Sequence, residues 1–159
     1  MSANPKDVTT LATPNGVAIG TWGDVMVLYQ HGTYSPEAVQ AMGTATARLL
    51  REHKEGLRVL TIVAPDAPTP DGDIRAGIAK HMSQNVYAMA VAYDVEGFRG
   101  ALVRGVITGL QLLARAKYPV RTFEKLADAA AWLETQRRGG APDPSAFAEA
   151  VEAFRRKTY

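Results

Sequence analysis

Three aspartates and one threonine lie in a single short loop, and these residue types could form a charged surface site or, at the threonine, accept a modification. The loop follows the apolar run Leu57–Ala64 and reads Pro65-Asp-Ala-Pro-Thr-Pro-Asp-Gly-Asp73. Such a run is typical of a buried strand, and open α/β sheets place function at the carboxyl ends of their strands. We therefore expect a functional site in this loop and at the start of the helix after it, at Asp66, Thr69, Asp71, Gly72, Asp73 and Arg75.

Asp71 has two interpretations from the sequence. As an N-cap it would satisfy a backbone N–H of the next helix, an effect worth about 1 kcal/mol. As a permanent charge it would belong to the candidate site. Thr69, in a Thr-Pro context, is a secondary candidate for modification, and a phosphate added there would be repelled by the neighbouring aspartates.

Metal sites and catalytic constellations are not indicated by the sequence. The histidines His31, His53 and His81 form no His-x-x-x-His or Glu-x-x-His pair. The chain has no cysteine, which excludes disulfides, thiol catalysis and cysteine-based zinc sites. Neither Ser35 nor Ser83 lies in a Gly-x-Ser-x-Gly turn, and the Walker A and dinucleotide-binding signatures are absent. We expect a protein that is not an enzyme and uses no cofactor.

Composition predicts one folded domain without a membrane segment. The 159 residues are 47% hydrophobic and 21% charged, and the formal net charge is +2. This charge is too small to indicate nucleic acid binding. No apolar span approaches the roughly 20 residues of a membrane helix, and the amino terminus does not resemble a signal peptide. We therefore expect a cytoplasmic protein that binds neither nucleic acid nor membrane.

One segment is locally basic. Between residues 97 and 125 the chain has six cationic residues and one acidic residue, Glu124. The cationic residues are Arg99, Arg104, Arg115, Lys117, Arg121 and Lys125. They are interpreted either as the solvated ends of helices or as a basic docking surface.

Periodicity and turn signals predict an α/β fold in which helices pack on a mixed β-sheet of about five strands. A hairpin over residues 16–30 turns at Gly23-Asp24, and Ser35-Pro36-Glu37 predicts a helix start. Further strands are predicted at Leu57–Ala64, Val86–Tyr93 and Tyr118–Phe123, and further helices at 72–84, 96–116 and 128–138. The order is β-β-α-β-α-β-α-β-α, with the later strands parallel through right-handed crossovers.

The predicted organisation has three parts. Residues 1–15, with Pro5 and Pro14, form a flexible lead-in, and residues 16–138 form the domain. Residues 139–159 contain a Gly/Pro linker and an amphipathic helix that packs on the domain through Phe147, Val151 and Phe154.

The element order, together with the segment Tyr118–Leu133, resembles the small STAS-like proteins related to the sporulation anti-sigma-factor antagonist. Members end with a strand reading Val-x-x-Phe and a helix carrying Ala-x-x-Trp-Leu. The matching residues here are Val120, Phe123, Ala129, Trp132 and Leu133. The resemblance covers about residues 16–135, and we expect Phe123, Trp132 and Leu133 to anchor the core.

The resemblance implies a bacterial regulatory domain that acts through contact with a protein partner. It makes the loop after Leu57–Ala64 and the next helix start the expected partner-binding surface, with the residues Asp66, Thr69, Asp71, Gly72, Asp73 and Arg75. In regulatory STAS domains a serine in the loop after the third strand is phosphorylated by a partner kinase. The corresponding stretch here is Thr69-Pro70-Asp71-Gly72, in which Gly72 matches and Pro70 replaces the serine. The usual phosphoacceptor is therefore absent.

Two alternatives stay open. STAS-like folds resemble the lipid-transfer Sec14 domain, so Met26, Met42, Met82 and Met89 could line a small-molecule or lipid pocket, although methionines at such spacings commonly pack in the core. Gly105 and Gly109, one helical turn apart, permit close approach by another part of the chain or by a second copy in a homodimer.

Overall fold

A six-stranded mixed sheet forms the centre of the protein in a computed structural model that describes residues 4–65, 67–93 and 118–157. The strands are β1 (Thr9–Ala12), β2 (Val17–Trp22), β3 (Val25–Gln30), β4 (Leu57–Val63), β5 (Val86–Tyr93) and β6 (Val120–Phe123). The described helices are α1 (Pro36–Glu52), α2 (Gly72–Met82), α3 (Leu126–Thr135) and α4 (Pro144–Lys157).

The strands lie side by side in the order of the chain. β2 is antiparallel to both of its neighbours, β1 and β3, whereas β3, β4, β5 and β6 are parallel to one another. The predicted hairpin is confirmed, because β2 and β3 pair from Val17↔Gln30 to Trp22↔Val25. The turn between them places Gly23 at φ 59°, in the left-handed region that glycine adopts without strain.

Helices cover both faces of the sheet. Successive residues of a strand point to opposite faces, and two contacts identify which helix covers each face. Met26 of β3 accepts a hydrogen bond from Thr46 of α1, whereas Arg58, paired with the preceding residue Val25, contacts Glu134 of α3. α1 and α3 therefore lie on opposite faces.

Each of these two helices has a helical partner. α2 packs against α1, and α4 packs against α3. On the α3 side, Phe147 of α4 stacks on Trp22 with ring centroids 4.7 Å apart, and both residues are buried. All eight residues of β5 are buried, as expected of a parallel strand covered on both sides.

Several details correct the sequence-based expectations. The sheet has six strands rather than about five, because β1 forms within residues 1–15, where only a lead-in was expected. The strand and helix order therefore begins β-β-β rather than β-β. α3 begins at Leu126 instead of Asp128 and ends at Thr135 instead of Arg138. The helix predicted over residues 96–116 lies outside the described residues.

The residues that carry the family resemblance do not all anchor the core. Leu133 is fully buried, but Phe123 and Trp132 are only partly buried and pack on each other with centroids 5.9 Å apart. Arg121 lies over both rings. These two aromatic rings therefore form part of the surface at the β6 edge. No helix in the described ranges is long and apolar enough to cross a membrane.

Candidate functional site

The loop after β4 lies at the carboxyl edge of the parallel strands, and a buried glutamine anchors it there. Gln30, at the end of β3, is 4% exposed. Its amide nitrogen Nε2 donates to the carbonyl oxygen of Pro68 at 2.9 Å and to that of Gly32 at 3.1 Å. The base of the loop is tied further, because the amide of Ala64 donates to the carbonyl of Gln30 at 2.9 Å. The loop is therefore held at its base by the sheet.

Asp71 is the N-cap of α2. Its Oδ1 accepts a hydrogen bond from the backbone N–H of Ile74 at 2.9 Å, and its backbone is extended (φ −73°, ψ 176°), as N-cap geometry requires. The predicted capping role is thus confirmed. Asp71 is nevertheless exposed, so its carboxylate stays accessible to a partner.

The other predicted binding residues lie around this helix start. Thr69, Gly72 and Asp73 are exposed, and Asp73 lies in the first turn of α2. Arg75 is partly buried, and its Nε is buried without a hydrogen-bond partner in the described chain. Asp66 lies outside the described residues. The structure therefore brings together Thr69, Asp71, Gly72 and Asp73 in one exposed segment, the acidic tip.

The opposite edge of the sheet carries a buried charge network that the sequence analysis did not identify. Arg58, at the amino end of β4, is fully buried. Its Nε and Nη2 donate to Asp24 Oδ1 at 3.0 and 2.5 Å, and its Nη1 donates to Glu134 Oε2 at 2.5 Å. The sequence did contain a signal for this network, which is the cation inside the apolar run Leu57-Arg-Val-Leu. An arginine in a buried strand needs a charged partner, since arginine is almost never fully buried unless it is paired.

The contacts within the network shift the pKa values of Asp24 and Tyr87. Burial by itself raises the pKa of Asp24, but the hydrogen bonds and charge of Arg58, together with the hydroxyl of Tyr87, lower it below its ordinary value. Burial and the hydrogen bond to Asp24 raise the pKa of Tyr87 to about 12. Asp24 is therefore ionised and Tyr87 protonated at neutral pH.

The network also connects Asn4 and the segment before α4 to the sheet. Glu134 accepts a hydrogen bond from Arg137 at 3.2 Å and another from the backbone N–H of Asp143, just before α4, at 2.9 Å. Arg137 in turn donates to Asn4 at 2.8 Å. Because these charges bind one another, we assign the network a structural role.

A polar surface pocket of about 400 Å³ opens beside the network. Asp24, His53, Tyr87 and Arg138 are among the residues that line it. The guanidinium of Arg138 lies 4.1 Å from the centroid of the Tyr87 ring and donates to the carbonyl of Glu55. Asp24, which accepts a hydrogen bond from the Tyr87 hydroxyl, and Arg138, which lies over the Tyr87 ring, are thus already engaged within the chain.

The three histidines lie apart in sequence and play different structural parts. His31 is exposed after β3, and His53 is the C-cap of α1, where its N–H donates to the carbonyl of Leu49. His81 packs in α2 against Gly43 of α1. In the described ranges, no three or more histidine, aspartate or glutamate side chains converge as metal ligands would.

The remaining candidates are placed as follows. Four methionines are buried core residues: Met26, Met42, Met82 and Met89. They line neither the pocket beside Tyr87 nor a second surface groove between α1 and β1. Arg121 and Lys125 are exposed. Gly105, Gly109 and the cations Arg99, Arg104, Arg115 and Lys117 lie outside the described residues.

Comparisons of the chain with protein-family models, with curated proteins and with solved structures give no match.

Proposed function

We propose that this chain is a non-enzymatic, STAS-like interaction domain that docks a protein partner through the acidic tip and the start of α2. The observation that carries the proposal is the anchored yet exposed state of the tip. Gln30 fixes the loop at Pro68 and Asp71 fixes it to α2, while Thr69, Asp71 and Asp73 remain exposed.

Anchoring favours binding for a physical reason. Association costs free energy for each loop that must be ordered, and a loop already held in place avoids much of that cost. The tip therefore offers a partner a preformed surface. The resemblance to STAS domains also supports the choice of this loop. It implies docking at the loop after the third predicted strand, Leu57–Ala64, which is β4 of the structure because β1 precedes the predicted hairpin.

The charges of the tip favour a basic partner surface. Asp71 and Asp73 are exposed carboxylates near the amino end of a helix, and Lys or Arg side chains of a partner could pair with them. Pro70 stands where the family has its phosphoacceptor and has no hydroxyl. The negative charge is therefore supplied permanently by Asp71 rather than by phosphorylation.

Affinity isolation with the wild-type chain and two charge-reversal variants tests the proposal. Asp71→Lys reverses the charge of the tip, whereas Glu149→Lys reverses an exposed acid on α4. We expect a partner that is captured by the wild type and by Glu149→Lys but lost with Asp71→Lys.

An Asp71→Asn variant separates docking from folding, because asparagine is also a good N-cap but carries no charge. Thermal unfolding should show this variant to be as stable as the wild type, while its partner binding is weakened. Identical partner sets and affinities for the wild type, Asp71→Asn and Asp71→Lys would refute the proposal.

A further inference from the structure

A surface groove of about 400 Å³ runs between α1 and the edge strand β1. Its strand side consists of Leu11 and Ala12, both partly buried. Its helix side is formed by Glu37, Gln40, Ala41, Thr44, Ala45 and Arg48. The groove is distinct from the acidic tip and shares no residue with it.

The helix side of the groove has an ordered charge pattern. Glu37, Ala41, Thr44 and Arg48 follow one another at intervals of four, three and four residues, so they lie along one stripe of α1. An acid stands at the amino end of this stripe, a base at the carboxyl end, and small side chains lie between them. Glu37, Thr44 and Arg48 are exposed.

The stripe can pair with an antiparallel copy of itself. When two copies of α1 lie antiparallel with Glu37 of each facing Arg48 of the other, Ala41 of each copy faces Thr44 of the other. Small side chains at a crossing allow helix axes to approach closely. A two-fold axis produces this arrangement, since it places the same patch of both subunits in contact.

We propose that a second copy of this chain occupies the groove and forms a two-fold homodimer in which the α1 helices are antiparallel. The charge pattern selects this occupant, because each Glu37 finds its complement, Arg48, on the same surface of another copy. The internal pair of Arg48 with Glu52 is exposed and 3.6 Å long, so Arg48 can exchange it for Glu37 of the second copy at small cost.

The edge of β1 extends the same surface. Among the described residues β1 pairs only with β2, so its other edge faces outward beside the groove. Thr9–Ala12 has neither a charged residue nor a proline to protect this edge; it is protected only by its length of four residues and by the register shift in its pairing with β2 between Thr10 and Ala12. A second copy seated in the groove covers this edge.

Sedimentation velocity over a series of concentrations tests the proposal through charge exchange. The single variants Glu37→Arg and Arg48→Glu each turn two attractive pairs of the dimer into two repulsive pairs, so the dimer dissociation constant should rise about tenfold. The double variant with both exchanges restores opposite charges and should return the constant close to that of the wild type. The control Glu149→Arg reverses an exposed charge on α4 and should leave it unchanged.

A spin label gives a second readout without altering these charges. Because the chain has no cysteine, Ala47→Cys and Ser145→Cys each provide a single labelling site. Ala47 is exposed on α1 beside the stripe and does not line the groove, and Ser145 is exposed on α4. Double electron–electron resonance should give a shorter distance between labels at residue 47 than at residue 145. A wild-type chain that is monomeric at every concentration, single variants that dimerise as well as the wild type, or the absence of a short distance at residue 47 would overturn the proposal.

Discussion

The carboxylate of Asp71 has one structural task, as the N-cap of α2, and one proposed functional task, in docking. One oxygen accepts the N–H of Ile74 and so begins α2, while the exposed side chain gives the tip its charge. The first task was predictable because capping depends on local sequence. The second depends on a partner and needs the experiments given above.

The free energy of unfolding should separate the capping role of Asp71 from the effect of its charge. Asp71→Ala removes the acceptor of the Ile74 N–H, so its free energy of unfolding should be about 1 kcal/mol lower than that of the wild type. Asp71→Asn should differ from the wild type by much less. Urea denaturation followed by circular dichroism measures both, and equal values for Asp71→Ala and the wild type would contradict the capping role.

Arg58 should matter more than any other charge of the described network. Arg58→Met leaves the fully buried Glu134 facing an apolar side chain, and removal of one partner from a buried ion pair commonly costs about 3–5 kcal/mol. The matched control is Arg137→Met, because Arg137 also contacts Glu134 but is 15% exposed. Urea denaturation should show a clearly smaller loss for the control; equal losses would argue against a special role for Arg58.

The packing of α1 against α2 explains two glycines. A Cβ added to Gly43 of α1 would lie 2.4 Å from Cε1 of His81, and one added to Gly77 of α2 would lie 2.8 Å from Cγ1 of Val39. The close packing of α1 and α2 therefore depends on missing side chains at both positions.

A double-mutant cycle tests the contact between Gly43 and His81. Glycine to alanine inside a helix ordinarily stabilises by up to about 1 kcal/mol, but here the new methyl group meets the imidazole. We expect Gly43→Ala to lower the free energy of unfolding in the wild type and to raise it in a His81→Ala background. Urea denaturation measures this change in the free energy of unfolding. If Gly43→Ala changes it in the same direction in both backgrounds, the contact with His81 does not determine the effect.

The elements also show what sequence reasoning can reach. β5 was predicted with its observed bounds because Val86–Tyr93 is apolar throughout. β1 was missed because its four residues include one large apolar side chain, Leu11, and so give no usable periodicity. The contact between Arg58 and Glu134 spans 76 residues, and no local pattern reveals which buried charges meet across such a distance.

The whole molecule combines two edges with different tasks. The carboxyl edge of the parallel strands presents the acidic tip, whereas the amino edge is closed by the ion network that also holds α4 and Asn4. The length of the parallel strands separates these two ends of the sheet. A substitution in the tip should therefore leave the network intact.

The stability of the whole molecule should depend on pH in two windows. Burial and the neighbouring Lys80 lower the pKa of His81, so the unfolded chain binds this proton more readily and stability falls as pH drops below about 6.5. Asp24 has a lowered pKa as well, so the stability that it contributes is present above about pH 4 and is lost on further acidification.

Urea denaturation across pH measures both windows. His81→Gln removes the imidazole and should flatten the profile in the upper window while the acid limb remains. An unchanged slope near pH 6 in His81→Gln would show that other groups produce it.

Hydrogen–deuterium exchange of the chain with and without a captured partner tests the central claim, docking through the acidic tip, most directly. The account predicts slower exchange at the amides of Thr69 and residues 71–76 in the complex, with the amides of α4 unchanged. Unchanged exchange in this segment, with protection appearing elsewhere in the chain, would contradict it.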